Sequence, residues 1–365
     1  MNELGKWERF QAFLRDEIRS LTTVNESDRK WHLPFTAALA TGLPLLIGAY
    51  FDHLNYGVVS SLGGLVFLYM PPTPLYHRMV ALMACAFGMT ACYALGLMSH
   101  LLEPTMMLVL IFISILVTMI CRFYGVGPPG SLFFIMAASI GAYSPVELMQ
   151  LPLLVGLFIM GSLLACMIGF IYSLCILRIQ KPLNVPTLIP PSFDFVVYES
   201  VVIGVFVGIS LAAAQVLNLQ KAYWVPVSCL AVIQGATLRA VWSKQLHRIL
   251  GTVIGLLVSF GLLLFPLDQW SICLAMMILT FIVESAIVRH YAFAAIFITP
   301  LTILLGETAT LGQSSASALI QARFIDTLLG CLVGLMGGVC LHSPRFRLVV
   351  GGLLRRLMPN HWTLN

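Results

Sequence analysis

Charged residues are scarce in this sequence. Of 365 residues, 10% are Asp, Glu, Lys or Arg, whereas 59% are hydrophobic, and the mean hydropathy is +0.94. A soluble globular domain usually carries about 25% charged residues. The composition therefore excludes a soluble domain and indicates an integral membrane protein.

Long polar segments are also lacking. The only extended stretches outside hydrophobic runs are roughly residues 1–30, the segment 180–195 and the last twenty or so residues. None is long enough to bury a core of its own, so we expect no soluble catalytic domain and no enzyme activity. Because the first thirty residues are charged, we also expect no cleavable signal peptide before the first hydrophobic run.

Motifs for metals, redox chemistry and nucleotides are missing as well. The nine cysteines form no Cys-x-x-Cys pair, the eight histidines do not pair at ligand spacing on one helix, and no phosphate-binding GxxxxGK[ST] loop is found. We therefore expect no cofactor, no metal and no nucleic acid partner. The net charge of +5 is interpreted as basic loops facing anionic lipids.

Hydrophobic runs are what the sequence has in abundance. They predict an all-α integral membrane protein with about twelve transmembrane helices. The predicted spans are 33–51, 57–69, 79–98, 105–121, 131–143, 151–177, 196–217, 224–233, 249–265, 271–288, 292–305 and 324–341.

The distribution of basic residues predicts the orientation of these spans. If the N-terminus is cytoplasmic and the spans alternate, all the Lys and Arg residues except Lys221 and Arg323 fall on the cytoplasmic side. Short cytoplasmic loops of membrane proteins are enriched in these two residue types. We therefore predict cytoplasmic N- and C-termini.

Two halves of the sequence resemble each other. In the first half Tyr56 precedes a short span that is followed by His77-Arg78, and in the second half Tyr223 precedes a short span that is followed by His247-Arg248. In addition, Arg122-Phe-Tyr124 matches Arg289-His-Tyr291. Six spans in each half predict parallel repeats related by an axis along the membrane normal. The predicted divisions are a cytoplasmic amphipathic helix at 1–30, a first six-helix repeat at 31–178, a Pro-rich linker at 179–195, a second repeat at 196–343 and a basic cytoplasmic tail at 344–365.

Spans two, five, eight and eleven are short, with roughly 10–14 apolar residues against the 20 or so that cross a bilayer. Prolines lie within or beside each of them. Short, interrupted helices at matching positions of two repeats are the best sequence indication of a transport site. Simple tilting or kinking of these helices is the alternative interpretation.

Four arginines flank the short spans and are candidate anion ligands: Arg78, Arg248, Arg122 and Arg289. A guanidinium is always charged and its donor geometry matches a carboxylate. Each arginine also fits the simpler interpretation of a positive-inside anchor.

Neighbouring residues extend this candidate substrate site. Tyr124 and Tyr291 lie beside two of the arginines, where they could stack on a planar solute. Gly130 and Ser131 begin the fifth span, where unpaired N–H groups of a helix start favour an anion. The tyrosines are equally interpretable as interfacial anchors.

Three further ionisable residues fall inside predicted spans or directly beside one. Glu284 is a candidate protonatable carboxylate for proton coupling. Arg323 and Asp326 lie three residues apart on one face of the last span, which predicts a structural ion pair.

Several stretches of the second half resemble the fusaric acid resistance family. Residues 223–226 read Tyr-Trp-Val-Pro, residues 234–238 read Gln-Gly-Ala-Thr-Leu, residues 247–255 read His-Arg-Ile-Leu-Gly-Thr-Val-Ile-Gly, and residues 323–330 read Arg-Phe-Ile-Asp-Thr-Leu-Leu-Gly. The first half is a degenerate copy of this pattern. The resemblance implies a bacterial inner-membrane exporter of aromatic carboxylic acids and kinship with the plant aluminium-activated malate transporters. It places Arg248 on the family's helix-start arginine, with Arg78 as its repeat partner.

The leading functional hypothesis is a secondary transporter that exports small organic anions, aromatic carboxylic acids above all, by alternating access between the two repeats. An anion channel lined by the same arginines is the second hypothesis, and a membrane-embedded enzyme or assembly factor for lipid-linked substrates is the third. The expected partners are the organic anion and membrane lipids. Monomer and homodimer both fit the sequence, and a periplasmic adaptor protein stays open.

Overall fold

The computed structural model describes residues 15, 29–102, 105–144, 147–186, 192–307 and 316–357. Within these residues it contains thirteen α-helices and no β-strand, so the predicted all-α membrane fold is confirmed. Apart from residues 15, 29 and 30, the predicted amphipathic helix at 1–30 lies outside the described residues.

The helices are numbered here in chain order. They are α1 His32–Tyr50, α2 Leu54–Gly64, α3 Leu75–His100, α4 Met106–Phe123, α5 Leu132–Ala142, α6 Leu151–Ile176, α7 Glu199–Val216, α8 Trp224–Ile233, α9 Leu238–Leu263, α10 Gln269–Ala286, α11 Tyr291–Glu307, α12 Ala316–His342 and α13 Pro344–Leu357. A 3₁₀ turn, Leu65–Tyr69, continues α2, and a π turn, Asp194–Tyr198, leads into α7.

Eight of these helices are long and apolar enough to cross a membrane, and four shorter apolar helices lie between them. The four are α2, α5, α8 and α11, which are the helices predicted to be short. Their length follows from local sequence: Pro226 lies in the first turn of α8, where a proline is tolerated, and a polar Gln-Gly segment follows the last residue of that helix.

The outward faces of the long helices are apolar. On α3, for example, Val80, Met83 and Phe87 are exposed at a spacing of three and four residues, which is one helical face. Exposed apolar stripes of this kind are stable only against lipid or another apolar surface. The chain is therefore a multi-pass membrane protein.

The pattern of helix packing repeats after six helices. Helix α2 packs on α1 and α6 as α8 packs on α7 and α12, and α3 packs on α5 and α6 as α9 packs on α11 and α12. Between the halves, α4 packs on α7 and α10 packs on α1, which is the reciprocal pair that a two-fold arrangement requires. These pairings support two copies of one arrangement, whereas the exact domain boundaries stay predictions.

Contacts between helix ends show which ends lie together. The Arg122 guanidinium at the end of α4 donates to the Phe195 carbonyl before α7 at 2.9 Å, and at the other end of the bundle the Gln269 amide donates to Asp52 at 2.8 Å. Helices α1, α3, α5, α7, α9 and α11 therefore begin at one end, called here the basic end. The assignment of the basic end to the cytoplasm stays a prediction.

The first fourteen residues of the predicted tail form helix α13 at the basic end. Phe346, Val350 and Leu354 recur on one face and pack on Tyr198 and Leu341. The segment that the sequence analysis treated only as a basic tail is thus an amphipathic helix docked on the bundle as far as Leu357.

Glycines bring α12 close to the short helix α8. A Cβ atom added to Gly330 would lie 2.5 Å from the Val225 carbonyl oxygen, and one added to Gly334 would lie 2.7 Å from the Cys229 carbonyl oxygen. Both distances are below van der Waals contact, so only glycine permits this approach. The close packing places the middle of α12 directly against α8.

We expect Gly330→Val to lower the free energy of unfolding by about 1–3 kcal/mol, because the added methyl groups must push α12 away from α8. The shift in the thermal unfolding midpoint of the purified protein measures this. Gly156→Val on α6 is the matched control, since a Cβ there meets no atom within 4 Å. Equal shifts in both variants would contradict the close-packing explanation.

Candidate functional site

The position of Arg248 within α9 differs from the prediction. The sequence analysis placed His247-Arg248 at the start of the ninth span, but α9 begins at Leu238, where the Thr237 hydroxyl caps it by accepting from the Ala240 backbone N–H at 3.1 Å. No glycine or proline interrupts residues 238–250, so the helix continues through this polar stretch. Arg248 therefore lies about 15 Å along the helix axis from its start.

Arg248 is held between two short helices. Its side chain is buried, with the residue only 6% exposed, and its guanidinium donates to the Ser228 hydroxyl of α8 at 3.2 Å and to the Tyr291 hydroxyl of α11 at 3.3 Å. The Nε atom has no hydrogen-bond partner. Tyr291, predicted as a stacking residue, thus serves as a hydrogen-bond acceptor for the arginine.

A second buried guanidinium lies nearby on α12. Arg323 is 5% exposed, its guanidinium carbon lies 4.3 Å from the centre of the Trp224 ring, and its Nε and Nη1 atoms have no hydrogen-bond partner. The charge of Arg248 is close enough to repel that of Arg323. Two cations therefore share one buried region of the second half.

Asp326 is the anionic residue of this region. It is 1% exposed, and its Oδ2 atom has no hydrogen-bond partner. Arg323 and Asp326 were predicted to form an ion pair, but their side chains are not among the pairs within 4.0 Å that the described residues form. The guanidinium contacts the Trp224 ring, and the charge of Arg323, followed by that of Lys221, attracts the Asp326 carboxylate.

A cavity of about 210 Å³ adjoins these groups between α8, α11 and α12. Its polar lining consists of Gln220, Lys221, Trp224, Thr302, Arg323 and Asp326. Gln220 and Lys221 precede α8, which places the cavity toward the end of the bundle opposite the basic end. With Arg248 included, three cations and one anion surround this part of the interior, so its electrostatic character favours an anion.

Arg78 has a different environment from its repeat partner Arg248. It lies in the first turn of α3, where its Nε atom donates to the Thr73 carbonyl at 2.6 Å and its Nη1 atom reaches the Ser173 hydroxyl at 3.5 Å. The Arg78 guanidinium therefore stabilises the turn that precedes α3. Helix α6, the counterpart of α12, carries no charged residue.

The other predicted ligands do not join Arg248. Arg122 pairs with the Glu199 carboxylate and stacks on Phe195 at 4.5 Å, so it fastens α4 to the start of α7. Arg289 and Tyr124 are exposed at the basic end. Their positions are those of surface groups at a membrane boundary.

The helix start at Gly130 and Ser131 is occupied by side chains of the protein itself. The Gly130 carbonyl accepts a hydrogen bond from the Tyr69 hydroxyl at 2.7 Å, and the Ser131 hydroxyl accepts from Thr118 at 3.1 Å and from the Gln234 amide at 2.9 Å. Because Gln234 follows α8, the Ser131 contact joins the first half to the second.

Glu284 is buried on α10 and forms an ion pair with Arg29 at 3.2 Å. The pair links α10 to the residues that precede α1, so it adds to the contacts between the halves. A proton arriving at Glu284 would have to displace the arginine.

Sequence reasoning missed the residues that complete the cavity. Trp224 was noted only as part of a motif, and Lys221 only as an exception to the charge rule, although both line the same cavity as Arg323. The Tyr-Trp pair at the start of a short helix could have indicated this cavity. A helix too short to cross the membrane begins below the membrane surface, so its first aromatic residues lie within the bundle.

Comparison with known proteins now adds to this geometry. Residues 201–337 match the family model described as fusaric acid resistance protein-like, a segment that reaches from α7 into α12. The chain is thus a polytopic helical membrane protein in which residues 201–337 are similar to the fusaric acid resistance protein-like family, as the quoted residues suggested. The relation to plant malate transporters stays a prediction.

Two curated bacterial proteins are similar to parts of the chain. The "Uncharacterized membrane protein YvaC" of Bacillus subtilis (strain 168) is 32% identical over 138 residues, which are 37% of this chain and 22% of that protein. The "Uncharacterized protein YhfK" of Escherichia coli (strain K12) is 31% identical over 159 residues, 42% of this chain and 21% of that protein. The matched segments span about a fifth of these relatives. No solved structure matches.

We expect Arg323→Met to destabilise the protein by about 3 kcal/mol, because it leaves the buried Asp326 carboxylate without its nearest arginine. The double variant Arg323→Met/Asp326→Leu should recover most of this loss, since it removes the stranded charge as well. Thermal unfolding midpoints of the two variants and the wild type provide the measurement. A double variant less stable than the single one would contradict the electrostatic coupling of the two residues.

Proposed function

We propose that this protein is a secondary transporter that exports small organic anions, with carboxylic acids that carry an aromatic ring as the leading substrate class. The observation that carries the proposal is the pair of buried guanidinium groups, Arg248 and Arg323, which retain unpartnered nitrogen atoms, together with the cavity that Arg323 lines. Ionisable groups inside a membrane domain are expensive and mark substrate pathways by default.

The chemistry of the groups selects the substrate class. A guanidinium offers several N–H donors in one plane, which match the two oxygens of a carboxylate. The Trp224 ring contacts Arg323, with the guanidinium carbon 4.3 Å from the ring centre, so it supports the guanidinium from one face. The N–H donors lie in the guanidinium plane, so an anion would bind at an edge of that plane.

Arg248 and Arg323 lie at different distances from the basic end, which suggests a route for an anion through the second half. Arg323 adjoins the cavity away from the basic end, whereas Arg248 is reached by α9 from the basic end. Their mutual repulsion is relieved when an anion lies between them. An anion that enters at the basic end would therefore meet Arg248 first and Arg323 second.

Alternating access requires the halves to move relative to each other. The halves meet at three pairs of helices, α4 with α7, α10 with α1 and α5 with α8, and the Ser131–Gln234 hydrogen bond joins the last pair. Rocking of one half against the other about these contacts is the movement we propose, in a bacterial inner membrane with the basic end in the cytoplasm.

Counterflow of a labelled aromatic carboxylate into proteoliposomes tests the function. We expect saturable exchange by the wild type and at least a tenfold loss for Arg248→Gln, because each tenfold change corresponds to about 1.4 kcal/mol and a charged hydrogen bond contributes that much or more. Arg239→Gln is the matched control, since Arg239 lies on the same helix but is exposed. A labelled organic cation, run in parallel, should not exchange.

The outcomes separate the competing functions. Carboxylate flux that does not saturate and that appears as unitary currents in planar bilayers would show that the protein is an anion channel and not a transporter. Absence of carboxylate flux in the wild type, or equal flux in the Arg248→Gln and Arg239→Gln variants, would overturn the proposal that Arg248 serves an anion pathway.

Proton coupling through Glu284 is a separate part of the proposal. If its carboxylate carries the coupled proton, Glu284→Gln should abolish the pH dependence of transport while substrate exchange at fixed pH continues, because glutamine cannot bind or release the proton. Initial rates measured across a range of external pH test this, with the exposed Glu147→Gln as control. An unchanged pH dependence would assign Glu284 to the Arg29 ion pair alone.

A further inference from the structure

Two residues that line the cavity beside Trp224 are incompletely hydrogen-bonded. Arg323 and Asp326 are at least nine-tenths buried, and the Arg323 Nε and Nη1 atoms and the Asp326 Oδ2 atom have no hydrogen-bond partner. A buried polar atom without a partner costs free energy that a bound ligand can recover. A simple carboxylate would satisfy only the arginine.

We infer that this cavity is a two-point site for an α-hydroxy carboxylate, whose carboxylate binds Arg323 and whose hydroxyl donates to Asp326. The inference rests on the proposed function, because it specifies the substrate class of the same pathway. It adds that Asp326 determines specificity, a role that the predicted structural ion pair did not include.

The spacing of the two residues sets the spacing of the ligand groups. Side chains three residues apart on a helix have Cβ atoms roughly 5–6 Å apart and project in similar directions. The two ligand groups must therefore lie on neighbouring atoms of the ligand, as the carboxylate and hydroxyl of an α-hydroxy acid do. A hydroxyl at the far end of a long ligand would not reach Asp326 while the carboxylate contacts Arg323.

Charge selects a hydroxyl over an amine as the second group. An ammonium would pair with Asp326, but it would also face Arg323, Lys221 and the nearby Arg248, which together carry three positive charges. A hydroxyl donates a hydrogen bond without adding charge. The hydroxyl oxygen of Thr302, which donates its own proton to the Thr299 carbonyl at 2.9 Å, adds a further acceptor to the wall.

The remaining lining accepts an apolar group. Ile303, Ala318, Leu319 and Ala322 complete the cavity wall, so the ligand's substituent lies against aliphatic side chains. A cavity of about 210 Å³ is below the size usual for drug-like ligands, which restricts the site to small acids. An α-hydroxy acid with one compact apolar side chain fits both the chemistry and the volume.

Binding of two acids that differ only in the hydroxyl tests the inference. We would measure the Kd of 3-phenyllactate and of 3-phenylpropionate for the full-length protein in lipid nanodiscs by titration calorimetry. The wild type should bind the hydroxy acid roughly tenfold more tightly, which is the usual contribution of one hydrogen bond to a charged group. Phenylalanine, which carries an ammonium in place of the hydroxyl, should bind more weakly than phenyllactate.

Two substitutions at one position separate the hydrogen bond from the fold. Asp326→Leu removes the acceptor, so the ratio of the two Kd values should fall to about one, whereas Asp326→Asn keeps a carbonyl acceptor and should retain part of the preference. Because the ratio is taken within each protein, a general loss of affinity or stability cancels.

The results distinguish this inference from the proposed function. If the wild type binds both acids equally, or if Asp326→Leu keeps the tenfold preference, the hydroxyl site is wrong while an anion site at Arg323 stands. If the wild type binds neither acid and transports no carboxylate, the organic anion function fails, and the two-point site fails with it.

Discussion

Charged side chains in this protein must find their partners inside the helix bundle, because the surrounding hydrocarbon offers neither water nor counter-ions. Some arginines find carboxylate partners at the bundle ends, as Arg122 does with Glu199 and Arg29 does with Glu284. Arg248 and Arg323 meet it only in part, through two hydroxyl groups and one indole ring, and each keeps at least one unpartnered nitrogen atom. The arrangement of helices in the second half is best understood from these two arginines and their missing hydrogen bonds.

The short helices supply the partial partners of these two arginines. Helix α8 has only ten residues, so its first residues, including Trp224, lie below the level at which a full-length span would begin. The glycines of α12 bring that helix against α8, which places Arg323 over the tryptophan and leaves space on its other side. Helix α11 contributes Tyr291, which accepts a hydrogen bond from Arg248, and Thr302, which lines the same cavity as Arg323. The short helix α8, the glycines of α12 and the short helix α11 together produce this polar region of the interior.

The two halves share a packing pattern but not a chemistry. Arg78 and Arg248 are both buried on related helices. Arg78 lies in the first turn of α3 and donates to the Thr73 carbonyl of the preceding turn, whereas α9 extends ten residues before Arg248. Helix α6 is uncharged where α12 has Arg323 and Asp326. We interpret the first half as the scaffold and the second half as the part that carries the solute pathway, in agreement with the family match to residues 201–337.

Composition and periodicity were enough to determine the class of protein, the all-helical fold and the alternation of long and short helices, because these properties depend on hydrophobic run length, on breakers and on local helix propensity. The residues quoted from the second half were also enough to indicate the fusaric acid resistance-like domain. The depth of each arginine was not determined in this way. Arg78, Arg122, Arg248 and Arg289 look alike as basic residues beside short spans, but only tertiary packing decided that Arg248 is buried, that Arg289 is exposed and that Arg323 stacks on Trp224 rather than pairing with Asp326. The physical reason is that partners for a buried charge come from other helices, at separations along the chain that no local pattern records.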